Sequence, residues 1–591
     1  MKKIANILLS AALLALCITA AAVPAPRTSI TYTQPDGTTV TLKLHGDEFH
    51  HWLTCGDRKV EIGEDGFVRP VSEDSGVAVS SAAISRAVAR KSLTMQRRPM
   101  RSASAKGKST GDSDHYLVLL VGFDDLGFTV KDTKNAFTAL LNSPGYSLNG
   151  AKGSARDYFE DNSMGAFSPS FDVFGPVNVS KGYAYYGEND HDGNDMHPAE
   201  ALVEACALLD GQIDFSQYDH DGDGYVDNVF FYFAGYTEAE YGSDNTIWSH
   251  SWDVETAIYF GEDIDNYTFD GVKIGTYACD SELSGNSGST MAAIGSFCHE
   301  FGHTLGLPDF YDVDYTDNGE ADDMLWFSLM SYGNYNDNGR TPPCLTAIER
   351  WMLGWMDMPE EFTANGSQTI AGIETNVAYR LTTDVEDEFF VLECRTDKGW
   401  DAGLEDKGLL IYHVDMSSNR FSSVTASSTW HSNMINAYSK HPCCYVVASN
   451  PDADGYADDY MFPGYAGARS FTGLTDPASK SWSGKDIGCH LYNIASSTGS
   501  VNLVYRKENE LGSAGVNLID NPGKGFYGSG SEFVFSLIES SNPPASVSWR
   551  FDGSPVSAPS VVLTAGEHTV IAVLTYPDGS TETLEQLIIA Q

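Results

Sequence analysis

His299-Glu300-Phe301-Gly302-His303-Thr304-Leu305-Gly306-Leu307-Pro308-Asp309 is the stretch on which the reading of this chain turns. Residues four apart share a face of an α-helix, so His299 and His303 aim both imidazoles at one point. Glu300, one residue on, reaches a reacting water rather than the ion. Gly306 tolerates positive φ cheaply, so the helix can stop there, and Pro308 enforces the exit. The turn swings Asp309 back as a third ligand and leaves a fourth position open, the pattern of a catalytic zinc site. A bare H-E-x-x-H arises by chance in long chains. The glycine at the second turn and the carboxylate three residues later make chance a poor account. Residues 289–307 read as one helix with Ser289 or Thr290 as its N-cap.

Working outward, residues 116–123 are almost continuously apolar and predict a buried strand, as do residues 226–234. Residues 135–141 and 199–209 predict helices. Strand-like stretches at 389–394, 408–414 and 500–505 make residues 370–507 β-rich. The last 80 or so residues alternate at 532–537, 546–551 and 569–574 between turns such as Asp552-Gly553, a pattern that suits a small immunoglobulin-like sandwich. Near the front, residues 28–33 and 38–44 alternate around the turn Gln34-Pro35-Asp36-Gly37.

The whole chain has 591 residues, more than one core holds, so several domains are expected. It carries 81 acidic against 36 basic residues, a formal net charge of −45, which argues against nucleic acid as a partner. The exception is residues 86–111, where Arg86, Arg90, Lys91, Arg97, Arg98, Arg101, Lys106 and Lys108 stand among Ser, Ala and Gly. Such an isolated basic stretch predicts an exposed linker open to an activating protease. At the N-terminus, Lys2 and Lys3 precede an apolar run that ends in Ala20-Ala21-Ala22, the form of a cleaved export signal with Val23 first after the cut. Cys17 raises a lipoprotein reading, against which the bulky Leu16 counts. No later segment predicts a membrane span, so the expected location is secreted, cell-surface or periplasmic.

Dense Asp points to hard cations. Asp219, Asp221, Asp223, Tyr225 and Asp227 match the first nine positions of a calcium loop, although Phe230 stands where the closing Glu belongs. Asn450, Asp452, Asp454, Tyr456 and Asp458 repeat that spacing as a second candidate. Cys55 is the one cysteine ahead of the basic linker once the signal is gone. Its thiolate is a candidate for the open zinc position in a latent precursor, with Asp47 as a rival oxygen ligand. No disulfide pairing is assigned.

Beyond the zinc stretch comes Ser328-Leu329-Met330-Ser331-Tyr332-Gly333, which resembles the Met-turn of metzincin-type proteases, in which a methionine packs beneath the zinc histidines. With His299 to Asp312 (HEFGHTLGLPDFYD), the chain resembles the immune inhibitor A-like secreted metalloproteases of bacteria. Trp248-Ser249-His250, EFFVLECR from Glu388 and GLLIYHVD from Gly408 also look similar. The resemblance implies one catalytic zinc on His299, His303 and Asp309, Glu300 as base, structural calcium, and extracellular cleavage of protein or peptide substrates. Met330 and Gly306 then support the zinc, and Tyr332 is a candidate oxyanion donor.

The expected architecture is α+β and multidomain: a signal peptide at 1–22, a small β-rich propeptide at 23–111, a metzincin-like catalytic domain at 112–369, a β-rich domain at 370–507 and the sandwich at 508–591. A zinc amidase acting on cell-wall peptides and a catalytically inactive surface adhesin remain the alternatives.

Overall fold

The structure, a computed structural model, describes residues 21–48, 50–63, 65–71, 115–190, 193–314, 319–453, 459–465, 467–473, 475–507, 518–520, 529–530, 532–538, 544–577 and 579–590. Residues 1–20 of the export signal expected at 1–22, the basic stretch 86–111, and Asp454, Tyr456 and Asp458 of the second calcium candidate lie outside them. The chain divides into two compact units. The first comprises Met1–Asp357 with Arg420–Pro442, the second Met358–Asn419 with Cys443–Gln591.

The first unit is built on a six-stranded sheet. In chain order its strands are β1 (Ala21–Ala22), β2 (His115–Gly122), β3 (Ser170–Asn178), β4 (Val229–Tyr236), β5 (His250–Asp253) and β6 (Thr276–Leu283). They lie in the order β1-β5-β6-β4-β2-β3. β6, β4, β2 and β3 run parallel, whereas β5 is antiparallel to β6, and β1 to β5. A parallel strand is covered on both faces, which is why β2 and β4 are apolar without alternation; Leu117 to Val121 are wholly buried. The run expected at 226–234 is broken at Asn228, whose φ of 58° diverts Tyr225–Val226 into a separate small sheet.

α1 (Ile294–Leu305) packs on this sheet and carries His299, Glu300 and His303. It starts later than Ser289 or Thr290. The Ser284 N–H donates to Thr290 O (3.0 Å) and the Ala292 N–H to Glu282 O (2.9 Å), so this backbone extends the sheet and the first helical residue follows Ala293. Phe297 and Phe301, one turn apart, face the sheet. Phe297 meets Phe171 at 5.0 Å and Phe230 at 4.5 Å between ring centroids, and Phe301 meets Tyr116 at 4.9 Å. That contact fixes the rotation of the helix and turns His299 and His303 to the opposite side. Further on, α2 (Ala347–Met352) opens with a capping box between Thr346 and Glu349.

Residues 30–70 of the same unit form a five-stranded antiparallel meander, from Ile30–Thr33 to Val68–Pro70. In the second unit, Ala378–Thr382, Glu388–Arg395, Gly408–Asp415 and Cys444–Val446 make a four-stranded antiparallel sheet. A three-stranded sheet joins Gly366–Ala371, Ser500–Lys507 and Cys489–Ser497. Arg395 is buried there between Glu393 (2.7 Å) and Asp401 (2.8 Å), so its charge is matched on both sides. Toward the C-terminus, Ser546–Phe551, Gly566–Thr575 and Thr581–Ala590 pair antiparallel around Val570, Ala572 and Leu574. The nine described cysteines, Cys443 and Cys444 among them, are thiols rather than disulfides. No helix among the described residues is long and apolar enough to cross a membrane.

Candidate metal centre and active site

His299, His303 and Asp309 come together, fully shielded from solvent. The two Nε2 atoms are 3.1 Å apart, and Asp309 Oδ1 is 3.6 Å from one and 3.3 Å from the other. Each Nδ1 faces a carbonyl, Leu329 O at 2.7 Å and Leu307 O at 2.8 Å, so each ring must carry its proton there. Both Nε2 lone pairs therefore converge with a carboxylate oxygen. Three acceptors without a proton among them repel one another unless a cation sits between, so the donor set fits a divalent metal with nitrogen and oxygen ligands. Burial holds the His303 imidazole below its ordinary pKa, in the neutral form that binds metal.

Each ligand has its own support. Gly306 ends α1 at φ 108°, and the Leu307 N–H returns to Gly302 O at 3.1 Å, which sets Asp309 on its return path. Asn433, buried in residues 420–442, then holds Asp309. Its Nδ2 donates to Asp309 Oδ2 (2.5 Å) and its Oδ1 accepts from the Asp309 N–H (2.6 Å). Met330 lies under the helix: a Cβ on Gly302 would stand 3.0 Å from its Sδ, so glycine is what lets the sulfur approach. The Phe310 N–H bonds Met330 O at 2.8 Å, tying the ligand turn to the Met-turn. The Met-turn is held in turn by Glu349, whose carboxylate accepts from Ser328 Oγ (2.7 Å) and the Met330 N–H (3.2 Å).

Glu300 is buried beside the cluster, facing the Val23 amide. Burial, then Glu48 and Asp309, push its carboxyl well above the usual carboxylate range. The residues that fill the space before it belong to the N-terminal segment. Ala22 pairs with His250 and Ala21 with Ser251 on β5. Trp248 Nε1 donates to Val23 O (3.0 Å), and Tyr335 Oη donates to Pro24 O (2.8 Å). Asp47 is buried with Tyr311 Oη 3.1 Å from its carboxylate. This corner of the meander therefore reaches the site, but Asp47 is not among the clustered donors.

Two expected site residues lie elsewhere. Cys55 is half-buried at the end of a meander strand, paired with Arg58 across a hairpin, and does not join the donor cluster. The hairpin places it at the far end of the strand from His50, whereas the corner at Asp47 turns inward. Tyr332 stands under the guanidinium of Arg27, whose Cζ is 4.3 Å from the ring centroid, beside Asp323. Tyr335, which the sequence reading passed over, is the phenol that touches a backbone carbonyl in front of Glu300. In the first calcium candidate, Asp219, Asp221 and Asp223 gather within 4.8 Å, whereas Asp227 Oδ2 accepts from the His220 N–H at 2.9 Å and is not in that group. In the second, Asn450 Oδ1 accepts from the Asp452 N–H at 3.1 Å, an ordinary turn contact.

Two histidines on one helical turn, a returning carboxylate, a glutamate beside them and a methionine turn beneath define a metallopeptidase-type domain. Residues 102–358 match the family described as immune inhibitor A peptidase M6, catalytic domain. The pre-pro-metalloprotease PrtV of Vibrio cholerae serotype O1 is 29% identical over 271 residues, covering 41% of this chain and 25% of that protein. Immune inhibitor A of Bacillus thuringiensis subsp. alesti is 30% identical over 211 residues, covering 32% of this chain and 30% of that protein. The chain thus spans between a quarter and a third of the length of these curated relatives. Among solved structures, wild-type OgpA from Akkermansia muciniphila aligns over 82% of this chain and 94% of its own at 11% identity, with a TM-score of 0.22. A likeness that low carries no argument.

Proposed function

We propose that this chain is an exported zinc endopeptidase made as a latent precursor, with His299, His303 and Asp309 as the metal ligands and Glu300 as the general base. The observation that carries the reading is the convergence of two imidazole lone pairs and a carboxylate beside a second, buried carboxylate. Zinc supplies Lewis acidity, acidifying water and polarising a carbonyl. Glu300 takes the proton from the attacking water and passes it to the leaving nitrogen. Tyr335 and Trp248, donors to consecutive carbonyls of the segment in front of Glu300, are suited to hold a peptide in extended form.

The same segment supports latency. Residues 23–26, held beside Glu300 by Trp248 and Tyr335, occupy a place where a substrate backbone would lie. Pro24 and Pro26 stiffen the segment and remove two N–H groups. Export-signal cleavage after Ala22 would leave the Val23 amine against Glu300, and a cut within residues 86–111 would free the segment. Structural calcium at Asp219, Asp221 and Asp223, and an immunoglobulin-like sandwich at 508–591, belong to the same proposal.

The test is Glu300→Gln in the full chain cut in the basic stretch. Zinc should bind as in the parent while cleavage of unfolded casein disappears. Retained cleavage would sink the assignment.

A further inference from the structure

Residues 23–27 read Val-Pro-Ala-Pro-Arg. The first faces Glu300, and the last ends in a recess of its own. Arg27 Nη2 stands 3.3 Å from Asp323 Oδ2, and its Cζ lies 4.3 Å above the Tyr332 ring. The Asp323 side chain is 2% exposed and that of Arg27 36%, so the carboxylate forms the floor and the guanidinium enters from the solvent side. The other Asp323 oxygen accepts from the Leu325 N–H at 2.6 Å, which fixes the aim of the carboxylate. Asp312 and Asp322 add like charge around it. Burial and these neighbours raise the Asp323 carboxyl to about 6 even with Arg27 in place. A desolvated carboxylate among others is costly without a cation. Whatever chain replaces the segment is favoured if it brings one to the same point.

We propose that Asp323 and the face of Tyr332 form a substrate subsite for an arginine or lysine side chain, and that Arg27 fills it in the precursor. On a substrate running in the direction of the segment, the basic residue stands four positions C-terminal to the one whose backbone meets Glu300. The prolines keep that spacing extended, about 12 Å at the rise of a polyproline helix. A guanidinium suits the site because it bonds a carboxylate in its plane and stacks on an aromatic face, as Arg27 does. This subsite rests on the peptidase reading. It gives Tyr332 a role in specificity in place of the oxyanion role expected of it.

The experiment uses the full chain, zinc-loaded and cut within residues 86–111 with both pieces retained. Extended peptides carry arginine, or its neutral isostere citrulline, at each position in turn. One position C-terminal to the cleaved bond should show kcat/KM about tenfold higher with arginine, the size of one charge-assisted bond. Asp323→Asn keeps an acceptor for the Leu325 N–H and should level that pair. Arg27→Glu should keep the preference and shorten the lag before activity. Equal rates for every arginine and citrulline pair in the unmutated chain overturn the subsite and leave the peptidase standing, as does a preference that survives in Asp323→Asn. Cleavage of no peptide overturns the peptidase reading and the subsite with it.

Discussion

Glu349→Gln tests how the Met-turn is held. The Glu349 carboxylate accepts four bonds: from Ser328 Oγ (2.7 Å) and the Met330 N–H (3.2 Å), and from the Thr346 N–H (2.6 Å) and Oγ1 (2.8 Å). A glutamine has one acceptor oxygen. The two hydroxyls can rotate, but either orientation of the amide leaves one buried backbone N–H, of Met330 or Thr346, against an NH2 group. Losing a charge-assisted bond and orphaning a donor costs about 2–4 kcal/mol locally, with relief of carboxylate burial already set against it. Amide exchange at Met330 or Thr346 should therefore speed by at least about 30-fold. Leu329 O, which orients His299, belongs to the same turn, so zinc affinity should fall about 10–100-fold, the usual effect of a lost supporting contact. Exchange by mass spectrometry and a competitive zinc titration read the two effects. Parent-like protection and affinity would refute the reasoning.

Asn433→Ala should lower zinc affinity by about 10–100-fold while α1 keeps its helicity, because Asp309 loses both bonds that aim it; unchanged affinity in the same titration would count against that role. A strong calcium buffer should lower the melting temperature of the full chain, and Asp221→Ala should remove the response; a melt indifferent to calcium would dismiss the loop at Asp219, Asp221 and Asp223. His51 ties the N-terminal meander to Glu238 at 3.0 Å. Burial lowers its pKa but Glu238 outweighs that and lifts it to about 9. A folded pKa above the ordinary 6.5 adds stability that is full below that value and lost as pH rises through about 9. The size is on the order of 3 kcal/mol. Activity from the full chain should therefore escape faster at pH 9.5 than at pH 7, and His51→Asn should erase the difference; a lag independent of pH would contradict it.

Much of the site was legible because its chemistry is local. The i, i+4 spacing of His299 and His303, the left-handed stop at Gly306 and the return of Asp309 within six residues follow from helix geometry, and the structure places all three donors together. The apolar strands at 116–123 and 408–414 were legible for a similar reason, since burial on both faces leaves its mark in composition. The capping box Thr346-Ala347-Ile348-Glu349 was there to be read as a helix start. Nothing local says that the same carboxylate also clasps Met330.

What the sequence determined by itself was which donors could gather, His299, His303 and Asp309, and the α+β character of the chain, because each is written in the spacing and composition of short stretches. What only the tertiary structure decided was the company those residues keep. Asn433 reaches Asp309 from residues 420–442, 124 positions along the chain. Val23, Pro24 and Arg27 reach Glu300, Tyr335 and Asp323 from about 300 positions away. The structure also places Cys55 at the far end of its strand from the corner at Asp47, which depends on which end of a hairpin turns inward. Such contacts are selected by the packing of whole layers rather than by neighbours in the chain, so no periodicity or motif records them.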